Sequence, residues 1–132
     1  MPVRGIRGAT VAEADHPDTI LSATRDLLKS VCLANPSLRK EDIASVIFTV
    51  TNDLQSCYPA QAARQLGWDN VPLMCALEIP VPGSLSHCIR VLIHWNTDLP
   101  QAAIRPVYLG AATSLRPDIN RTDSMKTQLE AG

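Results

Sequence analysis

The run Cys88-Ile89-Arg90-Val91-Leu92-Ile93-His94-Trp95 decides how the rest of the chain is read. It is short, apolar and rich in β-branched residues, the pattern of a buried β-strand. Successive side chains of a strand point to opposite faces. Ile89, Val91, Ile93 and Trp95 therefore share one face, the expected core side, and Arg90, Leu92 and His94 share the other. Arg90 interrupts a run that should be dry. Burying a guanidinium without an anionic partner is strongly unfavourable. Arg90 must face a protein carboxylate, an anionic ligand or solvent, and the strand by itself leaves all three open.

Working outward, Met74 to Ile79 reads as a strand that contains Glu78, joined to the Arg90 strand through the turn Pro80-Val81-Pro82-Gly83-Ser84. Val3 to Val11 reads as the first strand. On it Gly5, Arg7 and Ala9 share a face, so two tiny side chains flank Arg7 and leave room beside it. Ile43 to Thr51 is nearly continuously apolar, which predicts a strand covered on both faces. Asp15-His16-Pro17-Asp18 opens a helix, with Asp15 as the cap and Pro17 in the first turn. That helix runs through Ile20, Leu27, Leu28 and Val31 and stops at Asn35-Pro36. Leu38 to Asp42 is a short polar turn. Ser56-Cys57-Tyr58-Pro59 opens a shorter helix that ends before Gly67, with Ala60 and Arg64 on one face and Gln61 adjacent. Leu99-Pro100-Gln101 starts a helical turn, and Pro106 to Leu109 is a last short strand.

The element order β-α-β-α-β-β-β predicts an α+β fold, a mixed β-sheet with two main helices. Two helices cover one sheet face poorly, and sheet-to-sheet oligomerisation would cover the rest. Residues 1–118 are expected to form a single domain and residues 119–132 a flexible C-terminal tail.

The 132-residue chain has 45% apolar residues and a net charge of -1. This balance gives no support for a nucleic-acid surface or a polybasic membrane patch. Nine of the twelve basic residues are arginine, a bias that suits planar recognition of carboxylates. Met1-Pro2-Val3-Arg4-Gly5-Ile6-Arg7 carries no apolar signal core, so a cytoplasmic location is expected. Cys32, Cys57, Cys75 and Cys88 are widely spaced without a C-x-x-C pair, and His16, His87 and His94 lack ligand spacing with them. Reduced thiols and no metal are the expectation.

No dinucleotide fingerprint, phosphate-binding loop, nucleophile elbow or zinc-protease motif is present. What remains is a set of arginines on regular elements (Arg7, Arg64, Arg90), a strand carboxylate (Glu78), a late tyrosine (Tyr108) and a thiol (Cys75). This set lacks an obvious nucleophile and base. It can hold a small dianion and stabilise developing charge by hydrogen bonding. It equally suits a plain binding pocket.

Several segments fall in order along the chain. They are Val3-Arg4-Gly5-Ile6-Arg7-Gly8-Ala9-Thr10, Asp53-Leu54, Tyr58-Pro59-Ala60, Ala63-Arg64, Val71-Pro72, Cys75, Glu78, Cys88-Ile89-Arg90-Val91, Val107-Tyr108-Leu109 and Leu115-Arg116-Pro117-Asp118. Together they resemble the monofunctional, AroH-type chorismate mutases known from Bacillus, over about residues 3–118. The resemblance implies a homotrimer with a pseudo-α/β barrel at its centre and active sites at the subunit interfaces. It implies the Claisen rearrangement of chorismate to prephenate, on the route to phenylalanine and tyrosine, with no cofactor and no metal.

By the same resemblance, Arg90 would hydrogen-bond the ether oxygen of chorismate, and Glu78, with the Cys75 segment, would orient the ring hydroxyl. Arg7 and Tyr108 would bind substrate carboxylate. Tyr58, Ala60, Arg64, Leu73 and Met74 would line the pocket from the neighbouring subunit's side or its rim, and Leu115 and Arg116 would close it. Cys75 and Glu78 are three residues apart, so a regular strand sends them to opposite faces. Either the strand is irregular there or Cys75 acts through its backbone. The competing readings are an imine deaminase of the Rid/YjgF type, which also binds a carboxylate with an interface arginine in a trimer, and a non-catalytic carboxylate-binding trimer.

Overall fold

The computed structural model describes residues 1–117. The domain boundary expected at 118 and the tail expected over 119–132 lie outside them. Five strands form one mixed sheet: β1 (Val3–Val11), β2 (Ile43–Val50), β3 (Leu73–Leu77), β4 (Cys88–Asn96) and β5 (Val107–Tyr108). Their spatial order is β3-β2-β4-β1-β5. The Arg90 strand, β4, is thus the centre of the sheet, antiparallel to both β1 and β2. The edge strands β3 and β5 run parallel to β2 and β1. Two helices, α1 (Pro17–Ala34) and α2 (Ala60–Gln65), complete the expected α+β fold. Short 3₁₀ turns lie at Lys40–Asp42, Gln101–Ala103 and Gly110–Leu115. The last of these was not expected from the sequence.

The alternation read from β4 sets the core. Ile89, Val91, Ile93 and Trp95 are buried, and they pair across with Val50, Phe48, Val46 and Ile43 of β2. On the other side Ile6, Gly8 and Thr10 of β1 pair with Ile93, Val91 and Ile89. This surface receives α1 through Leu27, Leu28 and Val31, which recur at helical spacing and are fully buried. The helix comes close because position 8 has no side chain. A Cβ there would meet Val91 Cγ1 at 3.0 Å and Leu27 Cδ1 at 3.2 Å.

The opposite face is different. Ser45, Ile47 and Thr49 of β2 and Leu92 and His94 of β4 are only half-buried, and Arg90 is exposed. Among the described residues β2 is therefore fully covered on one face only, short of the expected cover on both. Among the described residues the helices cover one face only, and the other keeps apolar side chains such as Ile47 and Leu92 half-buried.

Local differences from the sequence reading have simple causes. The cap of α1 is His16, not Asp15. His16 precedes Pro17, which holds it extended (φ -143°, ψ 141°) as a cap must be, and its Nδ1 accepts from the Asp18 N–H at 3.2 Å. Asp15 instead accepts from Gln55 N–H, Ser56 N–H and Ser56 Oγ at 2.9, 3.0 and 2.8 Å. These bonds, led by that of the Ser56 hydroxyl, hold its carboxyl below the usual range. They tie the start of α1 to the loop that enters α2. The short α2 closes as read, with Gly67 at φ +88° just past its end. Gly67 N–H bonds Arg64 O and Trp68 N–H bonds Ala63 O, a Schellman closure. Strand β3 ends at Leu77, so Glu78 stands one residue beyond the strand rather than inside it.

Candidate active site

Register brings one line of residues across the open face. Thr49 pairs with Ala76 and with Arg90, Ala9 pairs with Arg90, and Ala9 pairs with Tyr108. The line Ala76, Thr49, Arg90, Ala9, Tyr108 runs perpendicular to the strands through all five. Ala9, fully buried, stands between Arg90 and Tyr108 in this row. Arg7 stands two residues along β1 on the same face, so the room expected beside it opens toward Arg90.

Glu78 enters this row from the end of β3. Its N–H donates to Val50 O at 2.9 Å, which continues the β2 pairing one step past the strand. Its Oε1 accepts from Thr49 Oγ1 at 2.5 Å and lies 3.2 Å from Arg90 Nε. Arg7, Thr49, Glu78, Arg90, Leu92 and Tyr108 line a cleft of about 260 Å³. The carboxylate partner that the buried-arginine argument allowed is therefore Glu78. Yet 46% of the Arg90 side chain and 26% of the Glu78 side chain remain accessible. Ion pairs this exposed contribute only about 0–1 kcal/mol to stability. The pair does little for the fold, and Arg90 lines the cleft while still about half exposed. Burial pushes the Cys88 thiol up, and the nearby Arg90 guanidinium offsets this only in part.

The entry to β4 is held as firmly. Asp53 accepts from the N–H of His87 at 3.0 Å and from Thr51 Oγ1 at 2.5 Å. Partial burial opposes its charge, but these donors prevail and lower its pKa. His87 sits at φ +53°, a strained position for a non-glycine residue, with its backbone N–H satisfied by Asp53.

Two other expected site residues, Tyr58 and Cys75, lie elsewhere. Leu54, Cys57, Tyr58, Gln61, Cys75 and Leu77 line a separate cleft of about 650 Å³ between the α2 entry and β3. Cys75 pairs with Phe48 and faces the helices, on the side of β3 opposite Glu78. The strand is regular there, so irregularity does not bring the thiol to Arg90. Burial pushes the Cys75 thiol up, while the Ala60 N–H that bonds it and the nearby Arg64 charge pull it down. Tyr58 and Arg64 are exposed and Ala60 is buried. Leu73 is half-buried against the core, and Met74 stands exposed on the Arg90 face. Leu115 and Arg116 end the last 3₁₀ turn, half-buried, in the wall of neither cleft.

The expected site residues thus fall into two groups within the described chain. Arg7, Glu78, Arg90 and Tyr108 come together on the open sheet face; Tyr58, Ala60, Arg64 and Cys75 come together across β3. The sequence reading does not single out Thr49, which stands in the nearly continuously apolar run of β2. Strict alternation along β2 would have placed it on the face of Ser45 rather than that of Phe48.

The family model described as chorismate mutase type I matches residues 3–119. The chain belongs to this family. It is 56% identical over 117 residues to a Thermus thermophilus protein named chorismate mutase AroH, covering 89% of this chain and 96% of that protein. The Bacillus subtilis protein of the same name is 43% identical over 123 residues, covering 92% and 96%. A solved chorismate mutase from Clostridium thermocellum superposes with a TM-score of 0.81 at 48% identity, covering 83% of this chain and 97% of that one. Membership of the type I chorismate mutases agrees with the resemblance carried by the Arg7, Glu78, Arg90 and Tyr108 segments. Among the described residues no helix is long and apolar enough to cross a membrane. Nor does any group of three or more His, Cys, Asp or Glu side chains there have a metal-binding arrangement.

Proposed function

We propose that this chain catalyses the rearrangement of chorismate to prephenate in a cytoplasmic homotrimer, at sites shared between neighbouring subunits. The observation that carries the reading is the open cleft in which Arg90, Arg7 and Tyr108 surround space on one sheet face, with Glu78 bridging to Arg90. Chorismate is a dianion that reacts with itself. Its ether C–O bond breaks as a new C–C bond forms, and the ether oxygen gains negative charge at the transition state. No proton must be removed and no group transferred. An enzyme for this step must select the compact conformer and stabilise that oxygen.

Arg90 fills the second role. Glu78 engages its Nε, which turns the terminal nitrogens toward the cleft, where they meet the ether oxygen and a substrate carboxylate. Interactions that strengthen as charge develops raise the rate, whereas those equal in both states only tighten binding. Arg7 and Tyr108 bind carboxylate, and Glu78 accepts the ring hydroxyl. Tyr58, Ala60, Arg64, Leu73 and Met74 reach the substrate from the adjoining subunit, with Cys75 contributing through its segment and Leu115 and Arg116 closing the pocket.

The trimer is supported by what the described residues leave uncovered. Met74, Leu77, Ile79 and Val81 are all exposed on or just after the edge strand β3. An apolar cluster on a sheet edge is a surface that needs a partner. Packing subunits there would bring one chain's Tyr58 half-site toward another's Arg90 half-site and close a central barrel.

The direct test follows loss of chorismate absorbance with purified protein and no added cofactor or metal, alongside sedimentation. We expect saturable turnover by a trimer. A folded trimer that leaves chorismate untouched contradicts the proposal.

A further inference from the structure

We propose that Thr49 is a positioning residue for the reaction, acting through Glu78 on Arg90. The inference rests on the roles given above to those two residues. Thr49 lies opposite Arg90 on β2, and its hydroxyl donates to Glu78 Oε1 at 2.5 Å. That same oxygen lies 3.2 Å from Arg90 Nε. Among the described residues, both of these contacts fall on one oxygen of the carboxylate.

The need for such a residue follows from where Glu78 sits. It stands one residue past β3, anchored at the backbone by its N–H to Val50 O. A glutamate there has three rotatable side-chain bonds and points over an open face. Its pairing with a half-exposed arginine is too weak to fix one rotamer. A hydroxyl held on a central strand supplies the missing constraint. With Oε1 pinned by Thr49, the carboxylate plane is set, and the Arg90 Nε must approach from one side. The guanidinium plane is then fixed, with its terminal nitrogens toward the cleft. A hydrogen bond to a charged acceptor is strong enough for this, and catalytic groups displaced by about 1 Å lose about 10²-fold in rate. Serine would preserve the effect. Valine keeps the shape and β-branching of threonine but removes the donor.

The experiment compares Thr49→Val, Thr49→Ser, Glu78→Ala, the double variant Thr49→Val/Glu78→Ala and Arg90→Lys in steady-state chorismate turnover, with thermal unfolding of each. Thr49→Val should lower kcat/KM about tenfold, the effect of one lost hydrogen bond to a charged group. Its unfolding temperature should not fall, since valine suits a strand. Thr49→Ser should recover most of the loss. In the Glu78→Ala background Thr49→Val should have no further effect, because the group it orients is gone. Full activity of Thr49→Val beside an impaired Arg90→Lys overturns the Thr49 proposal alone. So does a tenfold loss that persists without Glu78. An unimpaired Arg90→Lys would instead remove the roles on which the proposal stands.

Discussion

Arg90→Lys should lose most of kcat, about 10²–10³-fold, while the trimer and its thermal stability are retained. Lysine keeps the charge but not the fork. Nε lies 3.2 Å from Glu78 Oε1, and the proposed role gives the terminal nitrogens to substrate. An ammonium is a single compact point, and it can satisfy Glu78 or the ether oxygen but not both in fixed orientation. The side chain is about half exposed, so the substitution should do little to folding. The loss should fall on kcat more than on KM, because the contact strengthens as charge develops on the oxygen. A measured kcat near that of the parent would refute the role of the planar group.

Leu77→Asp should abolish both the trimer and turnover. Leu77 ends the edge strand β3 and is 67% exposed in the single chain. Its neighbours Ile79 and Val81 are exposed as well, and together they make the cluster expected to seat an adjoining subunit. A carboxylate buried in an apolar interface without a partner is strongly penalised. Within the free chain the same substitution costs little, because the position already faces water. The expected result is a folded monomer with unchanged helix content and no detectable turnover. Sedimentation and circular dichroism read the first two, and chorismate absorbance the third. An active monomer would remove the case for shared sites.

How much of this could be read in the sequence differs from element to element. The β4 alternation was fully legible, since Ile89, Val91, Ile93 and Trp95 are apolar at every second position and all are buried. Strand β1 was legible to the residue. Register was not. Nothing in the sequence says that Thr49, Arg90, Ala9 and Tyr108 stand in one line, because pairing is settled by tertiary packing rather than by local pattern. Glu78 was read inside a strand because the apolar run carries on to Ile79. The pairing with β2 ends first, and Pro80 follows. Asp15 was read as a helix cap because aspartate favours that role; Pro17 gave it to His16, and the loop at Ser56 took the carboxylate.

The candidate site was legible in a different way. Arg7, Glu78, Arg90 and Tyr108 could be named from the family resemblance, and the fold draws these four into one cleft. The resemblance also set Tyr58, Ala60 and Arg64 apart, toward a neighbouring subunit or the rim, but not how that separation arises within the chain. It depends on which side of β3 each element packs. Cys75 illustrates this: its partner Phe48 points to the helices, so its thiol does too.

Subunit mixing tests the central claim most directly. Arg90→Ala and Arg64→Ala, each expected to be inactive alone, place their lesions in different half-sites. If a site takes Arg90 from one subunit and Arg64 from its neighbour, exchange of the two variants at equal concentration should restore about one quarter of the sites. The account predicts recovery of turnover to about that level after exchange. Mixed trimers that remain as inactive as their parents would contradict it.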